Sequence, residues 1–270
     1  MNLKYTPSGF IYIFPNDDCK ATVDAMLDTN YQGDFCIADS FDHEFVARLM
    51  EAGFLVMSAN LRVFDEDGEN DHYYILLPKL HTVRSALFFE NLHIKKSIRR
   101  FFTPFMGYEL KADADFELIV DRCVEKHGDD WLTPPLVACI KKIRENAKKS
   151  GVINGKLEIR NEEFGTEEAG FKSYPSSFAL YRYGKLVAGE FGVICGRVYT
   201  SYSGFYDEDN AGTVQIILTT RYLQEKGFMF FDLGMPLDYK TELGAVDISA
   251  QEFVDLFRGA CQEAKTGLRH

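Results

Sequence analysis

A basic segment offers the clearest chemistry in this sequence. Residues 91–103 contain four cations and no acid, and the cations are Lys95, Lys96, Arg99 and Arg100. If the segment is helical, Lys95 lies beside Arg99 and Lys96 beside Arg100, because residues four apart share a helix face. Like charges at that spacing repel each other. The segment is therefore interpreted either as a phosphate-binding stripe or as a solvated helix face.

Acidic residues mark two further positions in the second half of the chain. Asp232 follows the apolar run 228–231, which predicts a buried strand that ends on a carboxylate. The acidic loop 207–209 precedes a helix start and contains no glycine before Gly212. A coenzyme A pyrophosphate needs free N–H groups in a basic, glycine-rich loop. Three carboxylates beside it would be repulsive by roughly several kcal/mol at short range, so this loop argues against a coenzyme A site.

Cysteines and histidines indicate neither a metal site nor a covalent nucleophile. The two closest cysteines, Cys123 and Cys139, are 16 positions apart, so the sequence contains no Cys-x-x-Cys pair. We expect buried, reduced thiols at Cys123, Cys139 and Cys195, because each lies in an apolar pattern. No histidine has a serine or cysteine partner pattern, and we expect no metal.

Composition excludes several classes of protein. The 270 residues are 46% hydrophobic and 14% aromatic, which excludes bulk disorder and allows one or two domains. No apolar run approaches the roughly 20 residues that span a bilayer, so we expect a cytoplasmic protein without a membrane partner. The net charge of −11 argues against indiscriminate nucleic-acid binding but is compatible with a local basic patch.

The elements that position these residues fall into two predicted parts. Residues 1–70 are expected to form a small N-terminal α/β domain, and residues 71–270 the main domain. The N-terminal part contains a strand at 10–14 and a helix capped by Asp42. The polar stretch 65–71 is interpreted as a hairpin turn or a domain boundary.

The strongest pattern begins at residue 177. Strands are predicted at 177–182, 186–195 and 198–203, followed by a helix from about 214 and the buried strand 228–232. Residues 154–176 are expected to be an excursion from the main fold. The order of hairpin, helix and strand is similar to the GNAT-like acyltransferase fold of acetyl-CoA-dependent N-acetyltransferases. The predicted class is therefore α/β (α+β).

Several motifs resemble, in order and at similar spacing, those of the leucyl/phenylalanyl-tRNA–protein transferases over roughly residues 72–260. The matching segments are 92–101 (LHIKKSIRRF), 130–133 (DWLT), 186–193 (LVAGEFGV), Ser203-Gly204-Phe205, Asn210-Ala211, Phe231-Asp232 and Leu243-Gly244-Ala245. The resemblance implies transfer of a Leu- or Phe-like amino acid from aminoacyl-tRNA to the N-terminal amine of an acceptor protein, which marks that protein for degradation. It implies no cofactor.

The resemblance also implies roles for individual residues. Trp131 matches a tryptophan that stacks on the terminal adenosine, and the basic segment matches a helix for the acceptor stem. Asp232 matches an aspartate that holds a partner for the attacking amine. The alternatives are that Trp131 is an ordinary core residue and that Asp232 is a buried acid whose oxygens accept hydrogen bonds from backbone N–H groups. Substrate-binding roles are expected for Ser203, Phe205, Glu190 and Asn210.

Departures from the family pattern suggest altered amino-acid or acceptor preference, or lost activity. Gly234 replaces a glutamine and Tyr202 replaces a glutamate. Gly204 replaces a methionine that lines the amino-acid pocket, and Glu190 or the acidic loop 207–209 is a candidate for replacement negative charge.

Two other functions stay open: an acyl-CoA-dependent N-acyltransferase, and a non-catalytic adaptor that binds tRNA or protein N-termini. The transferase hypothesis requires Trp131, the basic segment and Asp232 to converge on one cleft.

Overall fold

The computed structural model describes residues 3–64, 70–149 and 173–266, without the side chains of 62–64, 70–71 and 263–266. Residues 65–69 of the predicted turn and 154–172 of the predicted excursion lie outside the described residues. The strands are β1 (Lys4–Tyr5), β2 (Ile11–Tyr12), β3 (Leu55–Phe64), β4 (Asn70–Lys79), β5 (Val83–Leu87), β6 (Tyr108–Ala112), β7 (Tyr174–Arg182), β8 (Lys185–Cys195), β9 (Val198–Tyr206), β10 (Phe230–Asp232) and β11 (Val246–Ser249). The α-helices are α1 (Cys19–Asp28), α2 (His43–Glu51), α3 (Lys96–Arg99), α4 (Phe116–His127), α5 (Pro134–Lys149), α6 (Ala211–Glu225), α7 (Asp238–Glu242) and α8 (Ala250–Thr266).

A seven-stranded mixed sheet organises the molecule in the order β11-β5-β10-β9-β8-β7-β6. β10 lies parallel to β9, and the other neighbours in this sheet pair antiparallel. Helix α6 makes the crossover between the two parallel strands, which is the connection that parallel pairing requires. The predicted α+β class and its order of hairpin, helix and strand are confirmed.

Helices cover both faces of this sheet. On β7, the side chain of Ala179 packs in a core with α2, α4, α5 and α8, whereas that of Leu180 packs with α6. Successive strand residues point to opposite faces, so the sheet separates two cores. We call its two sides the α4 face and the α6 face.

Local sequence explains where the helices begin. The Asp42 carboxylate accepts a hydrogen bond from the Phe45 N–H at 2.9 Å and caps α2, as predicted. At α8, the Ser249 hydroxyl accepts from the Glu252 N–H at 3.2 Å. The basic segment is less regular than a single helix: α3 is one turn long and continues as the 3₁₀ turn Arg100–Phe102.

Strands β3 and β4 form a two-stranded sheet that connects the first seventy residues to the part of the chain that forms the main sheet. The two strands pair from Leu55↔Lys79 to Phe64↔Asn70, and bridges join Phe35 and Ala38 to β4. Asn70 and Asp71 of the predicted polar stretch therefore belong to a strand. The division into domains 1–70 and 71–270 stays a prediction.

Candidate functional site

Asp232 is held in a buried ion pair with Arg84 at the end of β10. Arg84 Nε and Nη2 donate to its two oxygens at 2.9 and 2.7 Å, and the side chains are 1% and 0% exposed. Thr200 Oγ1 donates at 2.8 Å and the Gly234 N–H at 3.0 Å. Burial alone would raise the pKa of Asp232, but the charge and hydrogen bonds of Arg84, with those of Gly234 and Thr200, hold it below its ordinary value. The carboxylate is therefore ionised and closed to solvent.

Arg84 is the functional candidate that sequence reasoning missed. It lies on β5, and its guanidinium stacks over the ring of Phe253 on α8, with 4.3 Å between the guanidinium carbon and the ring centroid. Its Nη1 has no hydrogen-bond partner within the described part of the chain. The environment of Asp232 thus fits the alternative interpretation, in which it is a buried acid with hydrogen bonds to its oxygens. These hydrogen bonds come from the Arg84 guanidinium as well as from the backbone.

The two residues that are expected to depart from the family pattern, Gly234 and Tyr202, each make a defined backbone contact. Gly234 has φ +73°, a left-handed conformation that side-chain-bearing residues rarely adopt. Its carbonyl accepts from the Ser85 N–H at 2.7 Å, which fixes the turn after Asp232. The Tyr202 hydroxyl accepts from the Val56 N–H at 3.1 Å and so joins β9 to β3.

Glu190 is a second buried carboxylate, on β8. It is 3% exposed, and its Oε2 accepts from Ser201 Oγ at 3.0 Å. Its Oε1 makes no well-formed hydrogen bond among the described residues, although the side chains of Gln215 and Thr219 still act on the carboxylate as hydrogen-bond donors. Burial raises its pKa to about 7, against the smaller opposite effects of Gln215, Ser201 and Thr219. Gln215 and Thr219 belong to α6 and are bonded to each other, with Nε2 to Oγ1 at 2.9 Å.

The two carboxylates occupy opposite faces of the sheet. Asp232 reaches Arg84 and Phe253 on the α4 face, whereas Glu190 faces Gln215 and Thr219 of α6. Thr200 and Ser201 are consecutive residues of β9. Thr200 donates a hydrogen bond to Asp232 and Ser201 donates one to Glu190, as the alternation of side chains along a strand requires.

The remaining predicted substrate-binding residues are dispersed. Ser203 lies against the thiol of Cys123 on α4, and the ring of Phe205 lies 4.5 Å beneath the Arg122 guanidinium, on the same face. Asn210 is exposed at the start of α6 with φ +67°. Trp131 is partly buried against the core of the α4 face, and its carbonyl accepts from Ser58 N and Oγ, both at 2.9 Å. The roles assigned to these residues stay predictions.

The basic segment lies on the α6 face of the sheet, opposite Trp131 and Asp232. All four predicted cations are exposed, while Ile98 and Phe101 pack with α6. Lys95 Nζ pairs with Glu242 Oε2 at 2.7 Å, and Arg221 of α6 adds another exposed cation 4.7 Å over the ring of Phe102. The expectation that this segment, Trp131 and Asp232 share one cleft is therefore wrong for this conformation. The sheet separates the segment from the other two residues, and Asp232 is closed.

The acidic loop 207–209 repels an anionic ligand less strongly than its sequence suggests. Asp207 Oδ1 pairs with Arg122 Nη2 and Glu208 Oε2 with Arg182 Nη1, both at 2.8 Å. These ion pairs compensate two of the three charges, so loop charge is a weaker argument against coenzyme A than predicted.

The predicted buried, reduced state of Cys123, Cys139 and Cys195 is confirmed. Among the described helices, none combines the length and apolarity needed to cross a membrane.

Comparisons with known proteins confirm the resemblance to one family at low identity. A family model for leucyl/phenylalanyl-tRNA protein transferase matches residues 168–258, about a third of the chain. The leucyl/phenylalanyl-tRNA–protein transferase of Pseudomonas entomophila (strain L48) is 27% identical over 175 residues, which are 64% of this chain and 66% of the relative, just under two thirds of its length. The enzyme of the same name from Pseudomonas paraeruginosa is 24% identical over 187 residues, 68% of this chain and 71% of the relative.

Solved structures give more distant matches. The crystal structure of FemX has a TM-score of 0.41 and 10% identity, covering 94% of this chain and 85% of that one. The structure of L-PGS from Bacillus licheniformis has a TM-score of 0.39 and 11% identity, covering 89% of this chain and 76% of that one. The fold assignment rests on the strand order described above.

Proposed function

We propose, from its relationship to the leucyl/phenylalanyl-tRNA–protein transferases, that this protein transfers an amino acid from aminoacyl-tRNA to the N-terminal amine of an acceptor protein. One observation carries the proposal: the family model matches the segment that forms β8, β9, α6 and β10. That segment contributes two buried carboxylates, Glu190 and Asp232. The whole reaction, its substrates and its partners belong to the proposal.

The reaction makes modest chemical demands. The acceptor amine attacks the ester carbonyl of the aminoacyl group, a C–N bond forms, the C–O bond to the tRNA breaks, and the amine proton passes to the departing ribose oxygen. Because the ester is already activated, positioning of the two substrates supplies much of the rate. The proposal requires no metal or organic cofactor.

The basic segment supports the tRNA part of the proposal. On a chain of net charge −11, it presents four cations to solvent within six consecutive positions. Phosphate contacts release condensed counterions and supply sequence-independent affinity. We assign Lys95, Lys96, Arg99 and Arg100 to the acceptor stem.

The partner of Asp232 is Arg84, and because both side chains are closed to solvent, we propose that this pair holds β5, β9 and β10 together and does not touch the amine. A cytoplasmic location and a product marked for degradation complete the proposal, since charged tRNA is a cytoplasmic substrate.

A transfer assay tests this function. The purified protein is incubated with individually charged tRNAs and with peptides that begin with Arg, Lys, Asp or Glu. We expect at least one pairing to yield a peptide extended by one residue, detected by mass spectrometry. The matched control is the same peptide with an acetylated N-terminus, which has no free amine. The absence of transfer from every pairing would contradict the enzymatic proposal, and tight tRNA binding without transfer would favour an adaptor.

A further inference from the structure

Two aromatic residues lie together at the surface beside the basic segment. Phe105, in the 3₁₀ turn Pro104–Met106, is 89% exposed, and Tyr183, in the turn between β7 and β8, is 71% exposed. The Tyr183 hydroxyl donates to the Phe105 carbonyl oxygen at 2.5 Å, so the two residues are neighbours. Exposed apolar groups that lie together mark interaction surfaces, and we call this pair the aromatic platform.

The fold holds Tyr183 in place against a local energetic cost. The connection between β7 and β8 consists of Tyr183 and Gly184, whose φ angles are +48° and +80°. Asparagine followed by glycine is typical of such a turn, whereas a bulky residue at the first position is strained. The Tyr183 N–H donates to the Gly107 carbonyl at 3.0 Å, and its ring covers Gly107, where an added Cβ would collide with it. The exposed ring is therefore preorganised, which lowers the entropic cost of binding.

Ring contacts connect the aromatic platform to the cations of the basic segment. The Arg100 guanidinium lies 5.0 Å over the ring of Phe101, whose centroid is 6.2 Å from that of Tyr108. Arg182 lies 5.2 Å over the Tyr108 ring and 5.6 Å over the Tyr183 ring. Because Phe101 and Tyr108 pack with α6, the exposed cations and the exposed rings form one surface on the α6 face.

Cations beside exposed rings match the chemistry of single-stranded RNA. Phosphates bind the cations, and unpaired bases stack on aromatic faces with little dependence on sequence. Bases within a duplex are already stacked on each other, so a duplex uses the cations alone. Trp131, the stacking residue that the resemblance implies, packs against the core of the α4 face. Unpaired bases that continue from a stem on the basic segment therefore need a different stacking group.

We propose that the aromatic platform stacks the first unpaired nucleotides that follow the acceptor stem at the 3′ end of tRNA. The inference rests on the proposed function, which supplies the partner. Two rings provide for two bases, and Arg100 lies between the stem and the platform to bind the phosphate that joins them. Arg182 is already paired with Glu208 at 2.8 Å, so its part is to position the Tyr183 ring.

Binding of RNA hairpins to the full chain, measured by fluorescence anisotropy, tests the platform without requiring turnover. Three hairpins share one stem and end in four unpaired 3′ nucleotides, ACCA. The first two of these nucleotides are abasic in one hairpin, and the last two are abasic in another. All three carry the same phosphates, so differences in affinity report stacking alone. We expect loss of the first two bases to weaken binding about tenfold, and loss of the last two to weaken it much less.

A double variant assigns this effect to the platform. Phe105→Ala combined with Tyr183→Asn removes both rings and places asparagine, the residue typical of this turn, at the strained position. We expect this variant to keep its Tm and to bind the intact hairpin about tenfold more weakly than wild type does, without discriminating against either abasic hairpin. Tyr5→Ala combined with Tyr73→Ala removes two exposed rings on β1 and β4. This matched control keeps the wild-type ranking.

The outcomes separate this inference from the proposed function. Equal binding of the intact hairpin and the hairpin without its first two bases, or no binding of any hairpin, overturns the platform, whereas transfer in the tRNA assay would still support the function. The expected ranking without transfer from any charged tRNA supports the platform and favours an adaptor. If the double variant converts a dimer into a monomer and binds the hairpins like wild type, the rings cover a second copy of the chain and the proposal is wrong. If the double variant does not fold, the wild-type ranking alone decides.

Discussion

At the scale of single residues, the Arg84–Asp232 pair depends on both of its members. Each charge is buried where an unpaired ion is costly. We predict that Asp232→Asn or Arg84→Met lowers the free energy of unfolding by roughly 3–5 kcal/mol. Combining Arg84→Met with Asp232→Leu is expected to recover part of this loss, because neither charge then stays uncompensated. Urea denaturation measures all three variants.

Lys141→Ala provides the matched control for that series. Its ion pair with Asp121 is solvent-exposed, so its removal is expected to change stability little. If Asp232→Asn proved as harmless as this control, the pair would not hold β5, β9 and β10 together.

Glu190 is expected to make the free energy of unfolding depend on pH, and the burial of its carboxylate sets the sign of this dependence. Its pKa rises from 4.5 to about 7 on folding, so between these values the folded protein retains a proton that the unfolded chain releases. This contribution to stability is complete below about pH 4.5 and is lost as the pH rises towards 7. At about 1.4 kcal/mol per pKa unit, the loss is about 3 kcal/mol. The measurement is chemical denaturation of wild type and Glu190→Gln across pH 4 to 8.

The comparison between those two proteins isolates Glu190 from other titrating groups. His81, whose pKa burial lowers to about 4, contributes equally to both curves. The Gln variant is expected to gain stability relative to wild type as the pH rises. Parallel curves would contradict a raised pKa at Glu190.

Sequence reasoning at single residues succeeded where the signal is local. The Asp42 cap and the buried thiols follow from neighbouring residues alone. The partnership of Arg84 with Asp232 joins residues 148 positions apart, and nothing near either residue indicates the other.

At the scale of elements, the basic segment forms an exposed surface of one α-helical turn and one 3₁₀ turn. We predict that Lys96→Ala combined with Arg99→Ala weakens tRNA binding. The double change is also expected to reduce the slope of log affinity against log salt by roughly 1.5 to 2. Filter binding across a salt series measures both quantities.

Lys142→Ala combined with Lys149→Ala on α5 is the matched control, since it removes the same charge elsewhere. Both of these lysines pair with Glu145. Equal losses in the two double variants would indicate a response to net charge rather than contact with the basic segment.

Elements with strong repeating patterns could be predicted, and those defined by distant pairing could not. The β8–β9 hairpin, α6 and β10 are visible in apolar periodicity and glycine turns. β5 is short and carries a charge at its second position, so only its neighbours in the sheet make it a strand. The faces of Glu190 and Asp232 depend on strand register, including the irregularity at Phe191/Gly192, which no local pattern gives.

At the scale of the whole molecule, a thermal shift distinguishes the proposed donor from a coenzyme A thioester. The loop before α6 has no glycine before Gly212, whereas a coenzyme A pyrophosphate needs free N–H groups in a glycine-rich loop. We predict that millimolar acetyl-CoA leaves the Tm unchanged in differential scanning fluorimetry, because a ligand stabilises only the state that it binds. An aminoacyl-adenosine amide analogue is the positive comparison. A rise in Tm with acetyl-CoA would instead favour an acyl-CoA-dependent N-acyltransferase.

The position of β5 in the sheet also has a consequence for synthesis on the ribosome. β5 ends at Leu87, but its two neighbours, β10 and β11, begin at Phe230 and Val246. At roughly 5–20 residues per second, translation takes many seconds to reach them. Throughout that interval the nascent β5 has unpaired edges, and Arg84 has no counter-ion from Asp232. The growing chain therefore postpones closure of this sheet until β10 and β11 have been synthesised, and unpaired strand edges are exposed to aggregation during that wait.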